Sequence, residues 1–157
     1  MKLSELIIPG AVIPELEATD RNGVIRELVE SLRDHAVFDP DDEEKIVQAA
    51  VARERQGSTG FGKGVAVPHV KHKGVKRMAA TIGRSSRGVD FAALDRAPVY
   101  TIVLLLSPAD DAEGHLGAME KIFRHLQRDS FRRFLRQAES REAIVELINE
   151  SDDVQSE

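Results

Sequence analysis

The chain of 157 residues contains no cysteine. That excludes disulfides, thiol nucleophiles and cysteine metal sites, and it fits a reducing, cytoplasmic setting. Long apolar runs are also missing. The longest, Val99 to Leu106, is far shorter than the ~20 residues a spanning helix needs. The N-terminus shows no basic segment followed by an apolar run, so no secretory signal is expected. Acid is scarce in one place: Glu54 is the sole carboxylate between Arg53 and Arg87, in a chain of net charge -5. A basic stretch of this kind attracts phosphate, nucleic acid or an acidic protein face, or is simply solvated. It has no interleaved aromatics and no recognition-helix pattern, which argues against nucleic acid.

The length suits one domain with a real core. Residues 1–150 are expected to form it, and residues 151–157 an acidic tail that frays. The pattern of elements is α/β. Asp20 to Gly23 reads as a turn on its Asn-Gly signal, followed by a helical period over Val24, Leu28 and Leu32. Asp39 and Pro40 open a second helix that Gly57 stops near Gln56. Val65 to Val67 is a brief strand, Lys76 to Gly83 another, and Arg84 to Gly88 a polar turn. Phe91, Ala92 and Leu94 form an apolar knot. Tyr100 to Leu106 reads as a strand covered on both faces. Three helical segments close the chain, with Leu116, Met119, Ile122, Phe123, Phe131, Phe134 and Leu135 expected in the core.

The densest signal is the run from Gly57 to His69. Gly57, Gly60, Gly62 and Gly64 fall within a few positions, a short apolar strand follows, and Pro68 precedes His69. Glycine permits close backbone approach, and proline fixes its own φ while pushing Val67 toward extended geometry. The run is a stiff mount for one imidazole, which can serve as base, ligand or nucleophile. It is not a Walker A loop, because Lys63 is followed by Gly64. Nor is it the dinucleotide fingerprint, because it follows a helix and opens a strand. No paired-histidine metal motif is present, although His69 and His115 meeting around zinc is not excluded by spacing. His35, His72 and His125 read as surface or partly buried residues. Ser58 and Thr59 fit loop hydrogen bonding better than phosphate binding.

A nucleophilic histidine would form a phosphohistidine. It needs one free ring nitrogen, the other oriented by an acceptor, and cationic or N–H donors for the phosphoryl oxygens. Arg53 and His115 are the candidates for that support. The stretch Ala52-Arg53-Glu54, then Gly57 through His69, closely resembles the type-2 EIIA domain of the bacterial phosphoenolpyruvate-dependent sugar phosphotransferase system. That family includes fructose and mannitol EIIA domains and the nitrogen-related PtsN proteins. Gly88-Val89-Asp90-Phe91, Leu104 to Pro108, His115-Leu116 and Phe131-Arg132 extend the likeness over nearly the whole chain.

The resemblance implies a mixed β-sheet with helices on both faces. It implies His69 as phosphoryl acceptor, with His115 and Arg53 stabilising the group on a loop of Gly57, Ser58, Thr59, Gly60, Gly62, Gly64 and Pro68. No cofactor, no metal and no membrane insertion are implied. The phosphoryl donor would be HPr or its nitrogen-branch counterpart, and the acceptor, where one exists, an EIIB cysteine. One departure is Val70, where many members carry glycine. The chain carries no EIIB, EIIC or HPr module, and with the likeness of Gly57 to Gly60 this favours a nitrogen-related regulator. A sugar-specific EIIA and a protein-binding regulator that never turns over phosphate are the alternatives.

Overall fold

The computed structural model describes residues 1–156, with side chains through Asp153. Its centre is β5 (Val99–Pro108), a β-branched and aliphatic run whose interior is buried on both faces. On one side β4 (Ala79–Val89) pairs with it antiparallel, from Ala79 opposite Leu106 to Val89 opposite Val99. On the other side lie β2 (Val65–Ala66) and β3 (His69–His72), both parallel to β5. Val65 faces Thr101 and His69 faces Leu105, so the register runs unbroken through the gap. The two strands are one strand interrupted at Pro68. Proline cannot donate to the ladder, but its carbonyl still accepts from Leu105 N at 3.0 Å. The N-terminal segment runs along the outer edge of β4, bridging Ile7 to Ala80 and Ile13 to Gly83.

Alternation along β5 divides the core. Ile102, Leu104 and Leu106 pack with α2 (Arg21–Ser31) and α3 (Glu43–Gln56). Val103 and Leu105 pack with Val65 and Val67 against α1 (Leu3–Leu6), α4 (Ala112–Leu126), α5 (Asp129–Gln137) and α6 (Arg141–Ser156). This is the expected mixed sheet with helices on both faces. A strand with period-2 side chains can only serve two apolar layers in this way.

Several local expectations are corrected. Asp20 to Gly23 is no free turn: Asp20 caps α2, accepting from Gly23 N at 2.6 Å, and the Asn-Gly pair lies in the first helical turn. Arg84 to Gly88 continues β4 through a register irregularity. The buried Arg84 donates to Pro14 O at 3.1 Å and to Arg136 O at 2.6 Å, and it lies 3.9 Å from the Glu15 carboxylate. Leu94, Leu116 and Phe134 are exposed, while their neighbours Phe91, Met119 and Phe131 are buried.

The described part of the expected tail, residues 151–156, is helical. It is the last part of α6, and Ser151 and Asp152 are buried. Asp152 accepts from Leu3 N and Ser4 N, each at 2.9 Å, so one carboxylate caps the first turn of the chain from its far end. His125 was expected near the surface but is fully buried beside it, with Nδ1 bonded to Ser151 Oγ and Nε2 at 3.7 Å from Asp152. Glu157 lies outside the described residues. Asp152→Ala leaves the Leu3 and Ser4 amides without this acceptor. A loss of about 2–4 kcal/mol in urea unfolding is the expected outcome, whereas Asp153→Ala, on an exposed side chain, should change little.

Candidate functional site

The glycine run is a β-hairpin rather than a loop. β1 (Gly60–Gly62) pairs antiparallel with β2, placing Gly62 opposite Val65. The two residues between them, Lys63 and Gly64, have φ of 62° and 78°. Both central residues at positive φ make the tight turn whose twist suits a hairpin. At Gly60 the constraint is space, because an added Cβ would lie 2.9 Å from the Cβ of Ala93. The hairpin is tied to β5 where Tyr100 N and Thr101 N donate to Gly64 O at 2.8 and 3.1 Å.

Beneath the hairpin sits the sole carboxylate of the basic stretch, to which the sequence assigns no role. Glu54 is buried and accepts from Thr59 N at 2.7 Å and Thr59 Oγ1 at 2.6 Å. Ser58 Oγ donates to Phe91 O at 2.7 Å and accepts from Gly60 N at 3.0 Å. The Ser58 hydroxyl thus links the hairpin backbone at Gly60 to Phe91, and the Thr59 hydroxyl is held by the Glu54 carboxylate. Arg53, in the last turn of α3, donates to Gly57 O at 3.0 Å. Its charge also reaches His69, where it opposes protonation.

His69 opens β3, immediately after the break at Pro68. Its Nδ1 lies 2.8 Å from Val67 O. A carbonyl only accepts, so Nδ1 carries the proton and Nε2 is the basic nitrogen. Burial holds the His69 pKa below its ordinary value, against the opposing pull of the Val67 carbonyl. The imidazole is therefore neutral at pH 7, with a lone pair on Nε2. His115, in the first turn of α4, lies with its ring centroid 5.4 Å from that of His69. Its Nδ1 is 2.8 Å from Ser107 Oγ. Burial lowers its pKa to about 4, helped by His69 and Lys71. Ser107 was missed. It stands two residues beyond Leu105 on the side of β5 that faces α4, so strand alternation pointed to it.

The two histidines open onto a groove along one face of α4, lined by Leu116, Met119, Glu120, Phe123, Arg124 and Gln127. Phe61 of β1 packs edge-to-face on Phe123, with centroids 5.1 Å apart. The basic stretch is dispersed, not a single patch. Lys71 faces the histidines, Arg77 donates to His35 O, Arg84 is buried, and Lys63 points elsewhere, toward α5. Among the described residues no group of three or more His, Asp or Glu is placed to hold a metal ion. No helix there is long and apolar enough to cross a membrane.

A histidine of fixed tautomer beside a second histidine of lowered pKa, on one strand of a mixed sheet, defines a class of site with a basic imidazole nitrogen at its surface. Comparison with known proteins narrows the class. Residues 5–151 match the family described as phosphoenolpyruvate-dependent sugar phosphotransferase system, EIIA 2. The chain belongs to that family.

It is 33% identical over 152 residues to the fructose-specific EIIABC component of Bacillus subtilis, covering 97% of this chain but 24% of that protein. To a nitrogen regulatory protein of Pseudomonas aeruginosa it is 32% identical, covering 94% of this chain and 95% of the relative. The crystal structure of nitrogen regulatory protein IIA-Ntr from Neisseria meningitidis superposes with a TM-score of 0.83 at 27% identity, covering 93% of this chain and 98% of that one. The IIA mannitol structure from Escherichia coli shares the fold, with a TM-score of 0.74 at 20% identity over 88% of this chain and 96% of that one.

The lowered histidines set a pH dependence of stability. His115 and His125 both have pKa values of about 4 in the fold, against 6.5 unfolded, and burial is the first cause in each. Between those values the unfolded chain binds more protons, so stability rises with pH. It is fully present above about pH 6.5 and is lost progressively as pH falls toward 4. Urea midpoints measured across this range should show that slope, and His125→Asn should flatten it by one histidine's share.

Proposed function

We propose that this protein is a histidine phosphocarrier that accepts a phosphoryl group on His69 Nε2. The observation that carries the reading is the Val67 carbonyl on Nδ1, which leaves Nε2 unprotonated at the mouth of the groove. The Nε2 lone pair attacks phosphorus, and the bond from phosphorus to the donor breaks with its electron pair returning to the donor. No proton leaves His69, because its one N–H remains on Val67 O. The product carries dianionic charge, and the site supplies donors for it. Arg53 contributes positive charge. In the tautomer whose Nδ1 accepts from the Ser107 hydroxyl, His115 carries its proton on Nε2, as a donor to a phosphoryl oxygen. Donors already in place at developing charge are the largest single source of rate enhancement in such sites.

The donor is an HPr-type protein, and the apolar face of Phe61, Leu116 and Phe123 beside His69 suits a protein surface. The nitrogen-related regulatory branch is favoured. The Neisseria nitrogen regulatory structure superposes with a TM-score of 0.83, against 0.74 for the Escherichia coli IIA mannitol structure. A sugar-specific role, passing phosphate to an EIIB cysteine, is supported by the equal identity to the fructose-specific Bacillus protein.

Incubation with phosphoenolpyruvate, enzyme I and an HPr-type donor should add one acid-labile phosphoryl group by intact mass. The gain should vanish in His69→Ala, and its persistence there would refute the assignment. Arg53→Ala and His115→Ala should each slow transfer, at a cost of roughly 3 kcal/mol in the transition state. Ser107→Ala should slow it less while leaving the fold intact. Phosphate moving on to an EIIB cysteine would select the sugar branch. State-dependent capture of a regulatory target without onward transfer would select the nitrogen branch.

A further inference from the structure

Away from His69, the tip of the β1–β2 hairpin and the exposed face of α5 enclose an open hollow of about 760 Å³. Lys63, Arg132, Arg133 and Arg136 line it, together with Asp129, Gln137 and Glu139. It shares no lining residue with the groove beside His69. Asp129 is spent on Arg132, with which it forms an i,i+3 ion pair. Among the described residues, Lys63, Arg133 and Arg136 have no carboxylate within ion-pairing distance.

One of these cations lies on an aromatic ring and a second lies near one. The guanidinium carbon of Arg136 lies 3.5 Å from the centroid of Tyr100, and that of Arg133 lies 5.3 Å from the centroid of Phe134. A guanidinium lying on a ring keeps its N–H groups in its own plane, free for an oxyanion. Phe134 is 47% exposed, which as core would be a defect and as a seat for Arg133 is not. The backbone behind Arg136 is fixed as well, because its carbonyl accepts from the buried Arg84. Lys63 arrives from a different element, on a turn residue at positive φ where asparagine or glycine is usual. Arg136 alone would be explained by its place in the last turn of α5. That account does not reach Lys63 or Arg133.

We propose that this hollow is a second binding site, distinct from the His69 groove, for a small phosphate-bearing anion. Arginine forks match phosphate oxygens in pairs, and lysine adds a point charge. The lining carboxylates Asp129 and Glu139 disfavour an extended polyanion laid across the surface. The site does not depend on phosphoryl chemistry at His69. It is continuous with it through the hairpin, since Lys63 follows Phe61 by two residues and Phe61 packs on Phe123 in the groove.

The chain supplies its own probe. Tyr100 is the only tyrosine and there is no tryptophan, so tyrosine emission reports on the hollow through the ring on which Arg136 lies. Titration of the full chain with inorganic pyrophosphate should give a saturable change in that emission, beyond the effect of sodium chloride at matched ionic strength. Lys63→Gln and Arg133→Gln leave the Arg136–Tyr100 stack intact, and each should weaken binding about tenfold, with unchanged thermal unfolding. His69→Ala should bind pyrophosphate as the parent does. The proposal is overturned by a change that sodium chloride reproduces, by equal binding in the two Gln variants, or by loss of binding in His69→Ala. Sedimentation with phosphatidylglycerol vesicles, with no response to pyrophosphate, would also overturn it in favour of a lipid surface.

Discussion

The fold hangs on the pairing of one interrupted strand with β5. Residues 65 to 72 hold a single register along β5 even though Pro68 breaks the ladder between Ala66 and His69. The break and the register have opposite effects, and the site needs both. The register places His69 beside Leu105, two residues from Ser107, and on the face toward α4. The break frees the backbone enough for the His69 ring to turn back onto Val67 O. Val67 O points away from β5, whose amides bond Gly64 O and Pro68 O instead, so it is available to the ring, and a loop would not fix the ring against His115.

Around that pairing the supports are hydrogen bonds made by groups with nowhere else to go. Glu54 is a buried carboxylate, costly unless satisfied, and the Thr59 amide and hydroxyl satisfy it. The result fixes the start of the hairpin relative to α3, and so fixes Arg53, one residue away, relative to His69. Asp152 plays the same part at the other end of the molecule, joining α6 to α1 and flanking His125 of α4. Both are acids in helices, and in both the cost of burial enforces a geometry between distant parts of the chain.

The sequence made the site more legible than its supports. Four glycines and a Pro-His pair are a local signal, so the hairpin region and His69 stood out. Two-sided burial of residues 100 to 106 followed from an unbroken apolar run. What stayed hidden depends on contacts distant in sequence. Glu54, Ser107 and Asp152 look like ordinary polar residues until the fold gives each a partner. The tail reads as solvent-facing because Asp152 reaches its partners, Leu3 N and Ser4 N, across nearly the entire chain. The helical stripes overcounted the core for a related reason. Periodicity marks an apolar face but not its width, and Leu116 and Phe134 fall at margins where the protein meets something else.

The electrostatics of the paired histidines give the site its direction. Two imidazolium rings 5.4 Å apart would repel, and burial disfavours charge on either. The unmodified rings are therefore neutral at pH 7, with Arg53 and Lys71 as nearby positive charges. Under the proposed function, the arriving phosphoryl dianion meets those cations and turns the repulsion around, since protonation of His115 then becomes favourable. Arrival and departure of one group would thus reset the charge of the whole groove without moving the backbone that holds it. A partner reading that groove needs only to respond to the sign of the charge beside Leu116 and Phe123. The rigid mount and the switchable charge are in this sense one device: the sheet fixes where the charge changes, and the exposed apolar face of α4 determines what is near enough to respond.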